Sequence, residues 1–247
     1  MKGEKGLNKT INPNGKDALL VTDIQIDFLP GGALPVTNGD KIIPVINNYI
    51  KRFESAKAYV IASRDWHPLN HISFKKQGGP WPPHCVQETT GAQFSPQLKL
   101  PDQPIVISKA TDPKHEAYSA FDNTNLHNTL QQLGVERLFV TGLATDYCVV
   151  NTVLGARELG YDTIVLSDAT LGINVQPGDV DRAFEAMQKK GASLLTEADF
   201  THSEDNLPLT TAEPDILAQK PTMMDAAKKK AKMRSKGAGN RIKTERG

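Results

Sequence analysis

Cys148, in the stretch VTGLATDYCVV (residues 140–150), has the clearest capacity for nucleophilic chemistry in this chain. The chain has only two cysteines, and a lone buried cysteine usually packs as a small apolar residue. Cys148, however, falls in the first turn of a predicted helix, where unpaired N–H groups and the helix dipole favour a thiolate. We therefore expect a lowered thiol pKa at Cys148. The other cysteine, Cys85, lies in a Pro-rich loop and is predicted to be structural.

Two further side chains of complementary chemistry follow apolar segments that are predicted to be strands. Asp23 comes after DALLVT, and Lys109 comes after PIVIS. Because the carboxyl ends of parallel strands meet at one edge of a sheet, we expect both residues to lie near Cys148. Asp23 can take the thiol proton and return it to a leaving amine, and Lys109 can favour the thiolate. This set predicts acyl transfer: attack on an amide carbonyl, loss of ammonia and hydrolysis of a thioester.

A second group of polar residues lies in the long irregular segment 64–102. Asp65 and His67 are two residues apart, so in an extended segment both point to the same side. His71 and His84 follow in the same segment. Carboxylate and histidine ligands with open positions are typical of zinc, iron and manganese sites. A hydrogen-bonded polar loop without metal is the alternative, because no helical spacing fixes these residues relative to one another.

The elements that must position these residues alternate along the chain. Short apolar runs predict buried strands, and segments with apolar residues at helical spacing predict helices between them. This alternation predicts an α/β fold of three layers, with helices on both faces of a mostly parallel sheet. The strands are predicted at the start of 17–28 and at 58–63, 104–108, 137–142, 162–167 and 192–196, and the helices at 38–57, 123–134, 144–160 and 178–191.

Length and composition favour one globular domain with extensions. The chain has 247 residues, of which 38% are hydrophobic. No apolar run approaches the roughly 18 residues that cross a bilayer, so no membrane partner is expected. The net charge of +1 hides an asymmetry, because residues 220–247 carry ten Lys or Arg residues and two acidic ones. We expect a loose N-terminal extension (1–16), a central domain (17–214) and a basic, flexible C-terminal tail (215–247).

The two ends of the chain also bear on localisation. The first sixteen residues lack the apolar core of a secretory signal, and two cysteines do not make a disulfide framework. A reducing, cytoplasmic setting is therefore expected. The basic tail could give access to the nucleus or a weak contact with a polyanion.

Six motifs resemble, in order, the nicotinamidase/pyrazinamidase group of the isochorismatase-like cysteine hydrolases. The motifs are DIQIDF, RDWHPLNHISF, WPPHC, SKATD, YSAF and GLATDYCV, and the match runs from about Ala18 to about Leu195. The resemblance implies the isochorismatase-like hydrolase fold for the central domain. It also implies hydrolysis of nicotinamide to nicotinate and ammonia, a step of NAD salvage, through a cysteine thioester. The chain has Asp146–Tyr147 before the cysteine where some members have Asp–His.

The resemblance implies roles for single residues. Asp23 matches the catalytic acid and base, Lys109 the lysine that supports the thiolate, and Cys148 the nucleophile. The backbone N–H groups of Ala144 and Cys148 match the oxyanion hole, usually with a cis peptide bond before the alanine. The implied substrate-binding residues are the aromatic walls Phe28 and Trp81 and, at the pocket edge, Tyr118.

The same resemblance implies a metal site that takes one divalent ion, zinc before iron or manganese. Asp65, His67 and His84 match the ligands. His71 matches a position that binds the metal in some members and only supports the ligands in others. In nicotinamidases the metal holds the ring nitrogen of the substrate, directly or through water, and so orients the ring for attack at the carboxamide.

Three hypotheses about function follow. The intact cysteine and metal sets favour nicotinamide as substrate, with pyrazinamide as a further candidate. Hydrolysis of another small amide is the alternative within the family. A non-catalytic protein whose basic tail binds a polyanion is the alternative from a different class. The sequence leaves open whether the chain forms a homo-oligomer.

Overall fold

The computed structural model describes residues 11–200, which form a single six-stranded parallel sheet with helices on both faces. The strand order is β3-β2-β1-β4-β5-β6. This confirms the predicted α/β fold of three layers. The strands are β1 (Asp17–Thr22), β2 (Tyr59–Asp65), β3 (Ile105–Lys109), β4 (Arg137–Leu143), β5 (Asp162–Leu171) and β6 (Ser193–Leu195).

The strand order reverses between β1 and β4, which are neighbours in the sheet although they are far apart in sequence. From β1 the chain builds outward to β2 and β3, and it then returns to β4 and builds outward on the other side. In sheets of this kind ligands bind beyond the carboxyl ends of the strands, where the order reverses. The fold therefore places a crevice beyond Thr22 and Leu143.

Alternation along β1 divides the core into two halves. Leu19 and Val21 pack in one apolar cluster with α1 (Ile43–Ser55), whereas Ala18 and Leu20 face the opposite cluster. Successive side chains of a strand point to opposite faces, so the continuous apolar run 18–21 of β1 can bury both faces of the sheet. The second cluster contains side chains of the remaining helices, which are α2 (Leu126–Gln132), α3 (Val150–Glu158) and α4 (Asp179–Lys189).

Two elements differ from the sequence prediction in ways that affect the site. The helix predicted over 144–160 begins with a π-helical turn, Thr145–Val149, before α3. Strand β5 continues to Leu171 instead of ending near residue 167, and its register against β4 shifts between Val140 and Gly142. Apolar periodicity carries no signal for either feature, because both arise where the chain bends around the crevice.

The remaining described segments connect these elements. Between β2 and β3 the chain is largely irregular, with isolated pairings of His67 with Val86 and of Phe74 with Trp81. Ile11 pairs with Phe200 near the end of the described range. Within residues 11–200, no helix has both the length and the apolar character required to cross a bilayer. The predicted basic tail, residues 201–214 of the predicted central domain and residues 1–10 of the predicted N-terminal extension lie outside the described residues.

Candidate active site

The carboxyl ends of three strands and the start of one helix bring the predicted catalytic residues together. Asp23 directly follows β1, Lys109 ends β3, and Cys148 lies in the π-helical turn after β4. All three side chains are buried, with Cys148 5% exposed. Asp65, the last residue of β2, joins the same group. The convergence predicted from the strand ends is therefore present in the structure.

Lys109 is the centre of this group. Its Nζ lies 3.0 Å from Asp23 Oδ2 and 3.3 Å from Cys148 Sγ, and it also donates to Asp65 Oδ1. Burial opposes the charge on Lys109, but Asp23 and Asp65 outweigh it and raise the pKa of Lys109 well above its ordinary value. Lys109 is therefore an ammonium ion that neutralises the buried carboxylates.

Asp23 is held in place through one carboxylate oxygen while the other remains available. Ser63 Oγ donates to Asp23 Oδ1 at 2.7 Å. Oδ2 lies 3.0 Å from Lys109 Nζ as an ion pair, and among the described residues no donor makes a hydrogen bond to this buried oxygen. Burial raises the pKa of Asp23 although Lys109 acts in the opposite direction. A buried acceptor with a raised pKa suits a group that must take a proton and return it.

The sequence predicted a lowered pKa for Cys148, and this prediction was wrong. Burial raises the pKa of the Cys148 thiol well above its ordinary value, and Lys109 only partly opposes this. The expectation of a lowered pKa considered the helix start and the nearby cation, but it did not include desolvation of the thiolate. Cys148 is therefore a thiol in the resting site, and its attack requires a base. Asp23, which has a carboxylate oxygen within 4.8 Å of Cys148 Sγ, is that base by position.

The segment before the thiol lines the same space. The Leu143–Ala144 peptide bond is cis, as the resemblance implied. Ala144 has extended backbone angles, and its carbonyl accepts N–H groups from Tyr147 (3.1 Å) and Val149 (3.1 Å), which closes the turn. Ala144 and Cys148 both line the pocket described below. The two residues predicted to supply oxyanion N–H groups thus face one cavity.

Asp65, His67 and His84 form a second group, which shares Asp65 with the first and in which three ligand atoms lie within 4.8 Å of one another. His67 Nδ1 lies 3.2 Å from the backbone oxygen of His84, and His84 Nδ1 lies 2.8 Å from that of Pro82. Donation by Nδ1–H to a backbone carbonyl leaves each Nε2 free to bind a metal. Burial lowers the pKa of His67 to about 3, so its ring is neutral, as a ligand must be. These residues fit a divalent transition metal such as zinc.

His71 lies beside the group of Asp65, His67 and His84 but is not one of its members. Its ring is 4.5 Å from the His67 ring, and the ligand atoms it is grouped with are those of His67 and Glu116. Both of its ring nitrogens have protein partners, Nδ1 with Ser73 Oγ at 2.7 Å and Nε2 with the backbone oxygen of His115 at 3.0 Å. Of the two positions the resemblance allowed for His71, this geometry favours support of the ligands over direct ligation.

A small pocket connects the thiol to the candidate metal ligands. Its volume is about 380 Å³, its open mouth included. The indole N–H of Trp81 donates to the hydroxyl of Tyr118 at 3.0 Å, and the Trp81 ring meets that of Tyr147 at a centroid distance of 5.2 Å. Phe28 packs on the opposite side against His84. Cys148 and the metal group therefore face a cavity with aromatic walls that suits one planar ring.

Several residues of the site were not found from the sequence. Gln25 is fully buried, accepts the N–H of Asp65 through Oε1 (2.8 Å) and donates through Nε2 to the Asp65 carbonyl (2.7 Å). It thereby fixes the backbone of a candidate ligand, and the only sequence signal was its place in DIQIDF. The other pocket-lining residues that sequence reasoning did not assign are Leu34, Ser73, Glu116, Tyr147 and Ile173.

Comparison with known proteins agrees with this geometry. The family model described as the Isochorismatase domain matches residues 17–199. This chain belongs to the isochorismatase family. It is 42% identical over 208 residues to the nicotinamidase of Escherichia coli (strain K12), which covers 76% of this chain and 98% of that protein.

Two solved structures of isochorismatase-like proteins extend the comparison. One is the pyrazinamidase of Pyrococcus horikoshii in complex with zinc, with 50% identity, a TM-score of 0.71 and coverage of 73% of this chain and 99% of that one. The other is PnC1 from L. infantum in complex with nicotinate, with 35% identity, a TM-score of 0.72 and coverage of 77% and 98%. Membership of the isochorismatase family identifies the chain as a hydrolase, and the named relatives are amide hydrolases.

Proposed function

We propose that this protein hydrolyses nicotinamide to nicotinate and ammonia, with Cys148 as the nucleophile. One observation carries the proposal: the buried group of Asp23, Lys109 and Cys148 opens into a ring-sized aromatic pocket. The same pocket is lined by the candidate metal ligands Asp65, His67 and His84. The first part is suited to attack on an amide, and the second selects an amide attached to a ring that carries a nitrogen. The nicotinamidase and pyrazinamidase relatives support this substrate class.

The first half of the reaction follows from the positions of the side chains. Asp23 Oδ2 takes the proton of the Cys148 thiol, and the sulfur attacks the carboxamide carbon. The negative charge on the carbonyl oxygen is stabilised by the N–H groups of Ala144 and Cys148. Asp23 then gives its proton to the amide nitrogen, the C–N bond breaks, and ammonia leaves. Lys109 keeps the charge of this buried site balanced throughout.

The second half reverses the roles of the same groups. Asp23 takes a proton from water, whose oxygen attacks the thioester carbon. The C–S bond breaks, and the proton returns from Asp23 to the sulfur. The nicotinic acid formed ionises to nicotinate and releases the second proton of the water to solvent. In each step Asp23 exchanges one proton with the sulfur, the amide nitrogen or the water oxygen. One base with a raised pKa therefore serves both halves of the reaction.

The metal site belongs to substrate selection in this proposal. Asp65, His67 and His84 would hold one divalent ion, zinc before iron or manganese, which would supply a Lewis-acid position for the ring nitrogen. Phe28 and Trp81 enclose the ring, and Tyr118 holds Trp81 in place. Pyrazinamide, which also carries ring nitrogens, is the second proposed substrate. The zinc complex of the Pyrococcus horikoshii protein supports zinc as the first ion to test.

The proposal is tested by release of ammonia from nicotinamide, with benzamide as the matched substrate that lacks the ring nitrogen. Zinc-loaded protein is expected to hydrolyse nicotinamide and to prefer it strongly over benzamide. Treatment with a chelator should remove that preference. Absence of nicotinamide turnover would reject the activity, and equal turnover of benzamide would reject the role of the metal in choosing the ring.

The properties predicted for the ends of the chain stay proposals. Cytoplasmic localisation, nuclear access, and weak polyanion contact through residues 215–247 rest on composition alone. Association into a homo-oligomer is a further proposal, which the oligomeric state in solution tests.

A further inference from the structure

Asp27 lies outside the catalytic group, yet it contacts the backbone of two segments that contribute to the pocket. It belongs to the short turn Ile26–Phe28 that follows β1. Its Oδ2 accepts the N–H of Cys85 at 2.7 Å, and its Oδ1 accepts the N–H of Ala33 at 3.2 Å. Its own carbonyl accepts the N–H of Leu34 at 2.9 Å. Neither acid–base chemistry nor metal ligation assigns this residue a role.

The hydrogen bond between Asp27 and Cys85 constrains the backbone next to both candidate metal histidines. Cys85 directly follows His84 and has a φ of 44°, in the left-handed region that non-glycine residues seldom occupy. The Cys85 carbonyl accepts the N–H of His67 at 3.0 Å, and the His84 carbonyl lies 3.2 Å from His67 Nδ1. The peptide segment 84–85 therefore sets the positions of His84 and His67 together. A short hydrogen bond from the Cys85 N–H to the Asp27 carboxylate anchors this segment to the turn Ile26–Phe28.

The remaining contacts of Asp27 hold the loop after Phe28, which forms another wall of the pocket. The bonds to Ala33 and Leu34 fold the loop after Phe28 back over the turn, and Leu34 and Phe28 both line the pocket. Gly91 faces the carboxylate, because a Cβ at this position would lie 2.2 and 2.3 Å from its two oxygens. The absence of a side chain at Gly91 is what allows the Asp27 carboxylate to reach Cys85.

We propose that Asp27 is a positioning residue of the metal site, which holds His84 and His67 in the arrangement that binds the ion. The inference rests on the metal site of the proposed function. Hydrogen-bond partners that orient metal ligands typically contribute a factor of about 10 to 100 in affinity. We expect Asp27→Asn to weaken zinc binding by about tenfold or more, because an amide cannot accept both N–H groups.

Two further variants distinguish positioning from a general loss of packing. Gly91→Ala displaces the same carboxylate without changing any charge, so it should weaken zinc binding in the same direction as Asp27→Asn. Asp146 makes a similar pair of bonds, to the N–H groups of Ile173 (2.9 Å) and Asn174 (2.6 Å), but it contacts no candidate ligand. Asp146→Asn should therefore leave zinc affinity unchanged while it loosens another pocket wall.

The test is a titration of the metal-free full chain with zinc against a chromophoric chelator, for the wild type and the three variants. Weaker zinc binding in Asp27→Asn and Gly91→Ala, with wild-type affinity in Asp146→Asn, is the expected result. Wild-type affinity in Asp27→Asn and Gly91→Ala, or an equal loss in Asp146→Asn, overturns the inference. A wild type that binds no zinc overturns the metal site itself and this inference with it. Zinc binding that depends on Asp27 in a protein without nicotinamide turnover keeps the inference and rejects only the substrate.

Discussion

Replacement of Lys109 by methionine tests the electrostatic account of the site most severely. Methionine is of similar length and removes only the charge and the N–H donors. The Nζ of Lys109 lies 3.0 Å from Asp23 Oδ2, where the attraction is about 5 kcal/mol at an effective dielectric constant of about 20. A second contact of comparable kind joins Lys109 to Asp65. Removal of the ammonium ion leaves two buried carboxylates without a cation.

The loss of stability is smaller than the sum of these attractions, because a buried carboxylate can take up a proton. Removal of one partner from a buried ion pair typically costs about 3–5 kcal/mol, and we expect a loss of that size near neutral pH. Without Lys109 the pKa values of Asp23 and Asp65 rise in the folded state. Since the folded variant then binds more protons than the unfolded chain, its stability should increase as the pH falls through these raised pKa values.

The assay is urea unfolding of metal-free protein, with chelator present, at about pH 5 and about pH 8. Lys109→Met should lose less stability at the lower pH than at the higher one. Lys190→Met is the matched control, because its exposed pair with Glu158 is worth at most about 1 kcal/mol. A Lys109→Met variant that loses less than about 1 kcal/mol, or loses the same amount at both pH values, would refute the proposed charge balance.

Three further variants test single parts of the site. Asp23→Asn should lower kcat by about 100- to 10,000-fold, since it removes the base, and steady-state ammonia release measures this; a kcat near that of the wild type would contradict the role. His67→Ala should lose zinc by elemental analysis, whereas retention of one equivalent would remove His67 from the ligand set. Tyr118→Phe should raise KM about fivefold, the equivalent of about 1 kcal/mol for the lost bond to Trp81, with little change in kcat; a change confined to kcat would assign Tyr118 a different role.

Much of the site follows from the sequence because the catalytic residues are fixed by strand ends. Asp23, Asp65 and Lys109 each stand at the end of an apolar run, and parallel strands bring such ends together whatever the loops do. The nucleophile follows by the same logic, since the turn with Cys148 begins directly after β4. Strand β1 was predictable for a similar reason, because the continuous apolar run 18–21 is typical of a strand buried on both faces, and its side chains are divided between the two core clusters.

The parts that escaped prediction depend on packing between distant segments. The direction of the Cys148 pKa depends on how completely the thiol is desolvated, which spacing along the chain does not report. Glu116 reaches the pocket from an irregular segment and Tyr147 from the π-helical turn, and periodicity along the chain does not report that they face the same cavity. The role of Asp27 was unpredictable for the same reason, because its partners Ala33 and Cys85 become neighbours only when two irregular segments fold against one turn.

The central claim is that Cys148 carries the acyl group. The most direct measurement combines nicotinamide turnover with mass spectrometry of acid-quenched protein, for the wild type and for two cysteine variants. The wild type and Cys85→Ala should both release ammonia and carry a nicotinoyl group on the peptide that contains Cys148. Cys148→Ala should do neither. Ammonia release by Cys148→Ala, or a nicotinoyl group on Cys85, would contradict the account.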